Sequence, residues 1–120
     1  MIERICGNSP FGRSQSSAYK DLVWVVATAD EESLSLVEQT KQALSNLENS
    51  LIELGSSKLM IVSANVFLSD IASKPIMDEV WNEWIGSNQD HWPQRACLGV
   101  DLGGHWLIEI TVTAVREKCS

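Results

Sequence analysis

Lys58-Leu59-Met60-Ile61-Val62-Ser63-Ala64-Asn65-Val66-Phe67-Leu68 alternates along its length, and that alternation decides the fold. Successive side chains of a strand leave on opposite faces. Met60, Val62, Ala64, Val66 and Leu68 therefore share one face, and Leu59, Ile61, Ser63, Asn65 and Phe67 share the other. The first face is wholly apolar and the second is mixed. Such a strand suits a sheet covered by helices on one side, with a second side that is neither simply solvent nor simply core.

The flanking segments supply the cover. Upstream, Val37, Thr40, Leu44, Leu47, Leu51 and Leu54 recur at alternating spacings of three and four, which lines one helix face. The spacing predicts a helix from about Asp30 to Leu54. Thr28 and Glu31 resemble a capping box, Asp30 is a rival cap, and Gly55 suits the closing left-handed turn. Downstream, Pro75 in a first turn and Ile76, Met77, Val80, Trp81, Trp84 and Ile85 predict a second helix, capped by Ser73 and ending near Gly86. Leu22 to Ala27 reads as a buried strand, and Asn8 to Ser17 as an irregular loop between extended pieces. After the polar loop Asn88–Gln94 come two strands, about Arg95–Asp101 and Trp106–Val115, with Gly103-Gly104 marking a hairpin turn. The expected fold class is α+β: one domain over residues 1–120, its mixed sheet covered on one face by two helices.

Composition narrows the function. With 44% hydrophobic and 21% charged residues the chain has the make-up of a globular protein. No run approaches the roughly 20 apolar residues of a membrane helix, and Met1–Ile5 lacks a signal-peptide core, so neither a membrane partner nor export by that route is expected. Cys6, Cys97 and Cys119 are odd in number and lack CxxC spacing, which points to a reducing cytoplasm. The formal charge of -7 repels phosphate backbones, so nucleic acid is not an expected partner.

In the expected hairpin, Ala96, Leu98, Val100 and Leu102 share one face, leaving Arg95, Cys97, Gly99 and Asp101 opposite. The last strand sets Trp106, Ile108, Ile110, Val112 and Ala114 against Leu107, Glu109, Thr111, Thr113 and Val115. If the apolar faces coincide, a loop of three residues, Leu102–Gly104, places Cys97 opposite Glu109 and Arg95 diagonal to it. The bland reading is a cross-strand salt bridge that contributes little. The functional one has Arg95 gripping a ligand carboxylate bidentately while Glu109 positions or deprotonates water.

The segments Gly55–Lys58 and Val66–Asp70, then Trp92-Pro93-Gln94-Arg95-Ala96-Cys97 and Leu107-Ile108-Glu109-Ile110, resemble the reactive intermediate deaminase family, also called RidA/YjgF. The resemblance implies a chorismate-mutase-like fold assembled as a homotrimeric barrel, with sites in the clefts between subunits. It further implies hydrolysis of small 2-imino acids to 2-oxo acids and ammonia without metal or organic cofactor. The family's carboxylate-binding arginine matches Arg95, its water-holding residue matches Glu109, and a backbone carbonyl at the cysteine matching Cys97 assists.

Departures bear on the pocket. Phe11-Gly12-Arg13-Ser14-Gln15 replaces a Gly-Pro-Tyr-Ser-Gln segment, so Arg13 stands for the pocket tyrosine; Val26-Ala27 stands for Ser-Gly, and Asp78 for an asparagine. Arg13, Ala27, Asp78 and Cys97 are thus candidate pocket residues. An alternative is a non-catalytic trimer that binds or senses a small carboxylate ligand; endoribonuclease activity, suggested by older family naming, fits the charge poorly. His91 and His105 lack a partner at metal spacing, Trp81 and Trp84 suit core packing, and Ser14, Ser16 and Ser17 lack a GxSxG context.

Overall fold

A computed structural model describes residues 1–117, so Cys119 lies outside the described residues. The chain runs β1 (Glu3–Ile5), β2 (Ser16–Tyr19), β3 (Leu22–Ala27), α1 (Leu36–Glu53), β4 (Ile61–Leu68), α2 (Lys74–Ile85), β5 (Gln94–Gly99) and β6 (Ile108–Val115). The six strands form one sheet in the order β1-β2-β3-β6-β4-β5, with both helices on one face. The α+β architecture is the one the alternating run predicts.

Helix α1 starts six residues later than the spacing from Asp30 suggests, because Ser35 is the true cap. Its side chain accepts from the Glu38 backbone N–H, and Ser35–Glu38 is itself a capping-box spacing. Thr28 and Asp30 are engaged elsewhere. Asn46 donates to the Thr28 carbonyl and to Asp30 Oδ1, while the Asp30 N–H donates to Gln42, which lays residues 28–30 along the helix flank. The predicted stripe does face the sheet: Thr40, Leu44, Leu47, Leu51 and Leu54 are buried, and only Val37 is half-buried.

Two readings of the strands are corrected. A β-bulge between Ile61 and Ser63 shifts the parity of β4, and Lys58–Met60 is a 3₁₀ turn. Ile61 therefore joins Ala64, Val66 and Leu68 in the core while Val62 faces outward. The final hairpin does not form. β5 pairs with β4 in parallel, Arg95 beside Ala64 and Cys97 beside Val66, and β6 lies on the other side of β4 with Glu109 beside Phe67. Buried Gln39 holds the connection from β5 to β6 in place: its Nε2 donates to the carbonyls of Glu32, Leu34 and His105, and its Oε1 accepts from the Leu107 N–H. One buried amide thus serves as partner to four backbone groups of the connecting loops.

Candidate functional site

Paired residues on neighbouring strands share a face, so the register decides where each candidate side chain points. Arg95 and Cys97 pair with the buried Ala64 and Val66 and thus project to the helix side. Glu109 pairs with Phe67 and projects to the open side, between buried Ile108 and Ile110. The expected diagonal of Arg95 and Glu109 is overturned: within one chain they leave the sheet on opposite faces, separated by β4. Apolar Ala96 and Leu98 misled the parity reading, because they face the open side of this edge strand.

Arg95 sits at the foot of α2. Its Nη2 donates to Asp78 Oδ1 at 2.5 Å, its Nη1 lies 3.8 Å from Met77 Sδ, and its guanidinium carbon lies 5.2 Å from the Trp81 ring centroid. Trp81, only 5% exposed, packs in the core and also serves as the platform under the cation. Asp78 Oδ2 accepts from Lys74 Nζ at 2.9 Å, one helical turn away. Lysine, aspartate and arginine thus form a chain with the carboxylate in its middle.

This cluster opens into a groove of about 790 Å³ lined by Asp78, Trp81, Glu83, Trp92, Pro93 and Arg95 among others. Trp92 is exposed but its indole N–H donates to the Gly86 carbonyl at 2.9 Å, so the ring forms a fixed wall. The polar loop reading of Asn88–Gln94 missed it; an exposed tryptophan just before Pro93 was the available signal. β5 is also a sheet edge. Val100 N–H donates to the Leu68 carbonyl, and the alternation of a parallel ladder then leaves the N–H and C=O of Cys97 directed away from β4, towards the free edge. A water at that edge has a carbonyl to donate to.

Burial pushes the Cys97 thiol up despite the nearby Arg95, so it stays protonated and packs against the core. Burial also raises the Asp78 carboxyl, but hydrogen bonds from Lys74 and Arg95 outweigh it and hold the group below the ordinary value of 3.8. The unfolded chain titrates at the ordinary value, so this contribution is full above it and is lost as pH falls through the lower folded value. Thermal unfolding of the parent and of Asp78→Asn is expected to differ by at most about 1 kcal/mol near neutrality, since Asp78 is partly solvated, and to converge in acid. A gap of unchanged size below pH 3.8 would assign the effect to neutral hydrogen bonding instead.

The segments that carry the remaining departures reach the open side only in part. A shallow groove of about 410 Å³ there is lined by Arg4, Ser14, Gln15, Ser17, Trp24, Val26, Asn65 and Thr111 among others. Val26 pairs with Thr111, two positions along β6 from Glu109, and its N–H donates to the Gln15 carbonyl. Arg13 is exposed just before this segment and does not line the groove. Ala27 is 3% exposed in the core and is not among the residues lining either groove. The departure at Val26 thus belongs to the Glu109 side of the sheet and the departure at Asp78 to the Arg95 side. Among the described residues no group of three or more His, Cys, Asp and Glu could hold a metal ion, and no helix is long and apolar enough to cross a membrane.

Residues 26–116 match the profile of the family described as Endoribonuclease L-PSP. A RutC family protein of Haemophilus ducreyi is 30% identical over 116 residues, covering 95% of this chain and 96% of that protein. The crystal structure of a YjgF family member from Neisseria meningitidis superposes with a TM-score of 0.88 at 25% identity over 99% of this chain and 98% of its own. That of yeast Mmf1 gives 0.86 at 25% identity, over 98% of this chain and all of its own.

Proposed function

Because the chain belongs to the Endoribonuclease L-PSP family, also called RidA/YjgF, we propose that it hydrolyses small 2-imino acids to 2-oxo acids and ammonia, in a cleft completed by a second copy of the chain. One observation carries the reading: a guanidinium fixed by an aromatic platform and a carboxylate opens onto a groove beside a strand edge with free carbonyls. Arginine offers a planar fork to a ligand carboxylate, which lysine lacks. Since Arg95 and Glu109 leave opposite faces, the site joins Arg95 and the Cys97 carbonyl of one copy to Glu109 on the open face of the next.

The chemistry then balances without an added reagent. Ligand carboxylate on Arg95 orients the C=N carbon, and Glu109 takes a proton from water as its oxygen adds to that carbon. Glu109 returns that proton to nitrogen, and the tetrahedral adduct collapses: the C–N bond breaks as its hydroxyl gives up its own proton by way of Glu109 to the departing nitrogen, leaving a C=O bond and ammonia. The reaction is redox-neutral and uses no metal or organic cofactor. Decay of 2-iminopropanoate generated in situ, followed with and without purified protein, tests this directly. A protein that binds pyruvate without accelerating that decay would instead be the carboxylate-binding alternative.

Assembly is a separate expectation. Trp24, Val26, Val62 and Leu98 are each more than a third exposed on the open face, an apolar surface that monomers rarely present. Light scattering is expected to report a trimer of the 13.3 kDa chain. A stable monomer at micromolar concentration would leave half the cleft as open water.

A further inference from the structure

We infer that Asp78 selects for zwitterionic ligands at the Arg95 groove, favouring the 2-iminium acid over the 2-oxo acid it becomes. The inference rests on the proposed function and concerns a residue that function uses only to hold Arg95. Asp78 Oδ1 touches Arg95 Nη2 at 2.5 Å, and both side chains line the same groove, where Glu83 adds a second carboxylate. A ligand carboxylate that takes the remaining guanidinium donors must therefore lie within a few ångströms of Asp78. Bare, it meets like charge. Lys74 offsets this weakly, because its side chain is 43% exposed and screened by water.

A 2-iminium acid carries its cation on the atom next to the carbon that bears the carboxylate. Its carboxylate faces Arg95 while its N–H donors face Asp78, so each charge meets its opposite. Hydrolysis removes the cation with the ammonia. The product is a plain anion, and the same Asp78 that held the substrate now repels it. Binding energy realised only before product forms lowers product inhibition without a moving part.

Two stable probes separate these states: L-alanine as the zwitterion and pyruvate as the anion, each titrated by the indole N–H signals of the tryptophans. Asp78→Asn keeps size and hydrogen bonding. It is expected to tighten pyruvate binding about tenfold while L-alanine binding weakens or stays level, the scale of one partly screened charge pair. Pyruvate inhibition of imine decay should rise in parallel. If Asp78 only braced Arg95, both ligands would weaken together and their ratio would hold, which would overturn the inference. Arg95→Lys distinguishes the two failures: loss of both ligands alongside an unchanged Asp78→Asn ratio sinks the selectivity alone. Pyruvate binding indifferent to Arg95→Lys removes the site beneath it.

Discussion

Glu109→Gln is expected to lower the rate of imine hydrolysis by about 10²–10⁴-fold while leaving the affinity for pyruvate nearly unchanged, the range for loss of a positioned general base. The expectation is sharper for the geometry. A salt bridge to Arg95 was the bland alternative, and among the described residues Glu109 makes no ion pair. Its half-buried carboxylate stands on the open face beside Phe67. Gln preserves its size, so neither folding nor trimer formation should change. Single-turnover decay of 2-iminopropanoate measures the chemical step apart from product release. An undiminished rate in the Gln variant would refute the base role and leave Glu109 as a neutral positioner of water.

How much of this was legible beforehand depends on which force decided each feature. Hydrophobic period placed β3, β4, α1 and α2, because burial on one face is written directly into spacing. Pairing partners were not written there. The Gly103-Gly104 turn is compatible with a hairpin, yet β6 inserts between β3 and β4, where the ladders on its two edges set buried Ile108, Ile110, Val112 and Ala114 beside apolar partners. Edge strand β5 inverted the usual pattern, turning Arg95 and Cys97 inward under α2 and Ala96 and Leu98 outward. No parity rule separates an inward arginine from an outward one until its partner is known. Asp78 and Trp81 were that partner, at helix positions three apart; a guanidinium that stacks on one and bonds the other explains how a cation can turn inward. Asp78 was legible as a departure from the resembled family, and its contact with Arg95 only as geometry.

Arg95→Lys is expected to weaken carboxylate binding by about 2–5 kcal/mol, the cost of losing one partner of a desolvated, charge-assisted contact, with the fold and trimer intact. Charge is retained in that variant, so the loss would measure the planar fork. Lysine as tight as arginine for pyruvate would make the bidentate role wrong. The variant also tests where the site lies. If Arg95 and Glu109 of one chain served one site, mixing the two inactive variants could restore nothing, since every chain would carry a lesion in its own site. If each site draws Arg95 from one copy and Glu109 from the next, a mixed trimer contains boundaries at which an intact arginine meets an intact glutamate. Random assembly of equal amounts of Arg95→Lys and Glu109→Gln chains makes about one site in four intact. Co-refolded variants are therefore expected to recover about a quarter of the parent's rate, against the far lower rates of either alone. Such recovery is what opposite faces of a single sheet require, and its absence, with trimers formed, would return both residues to one chain or remove one from the chemistry.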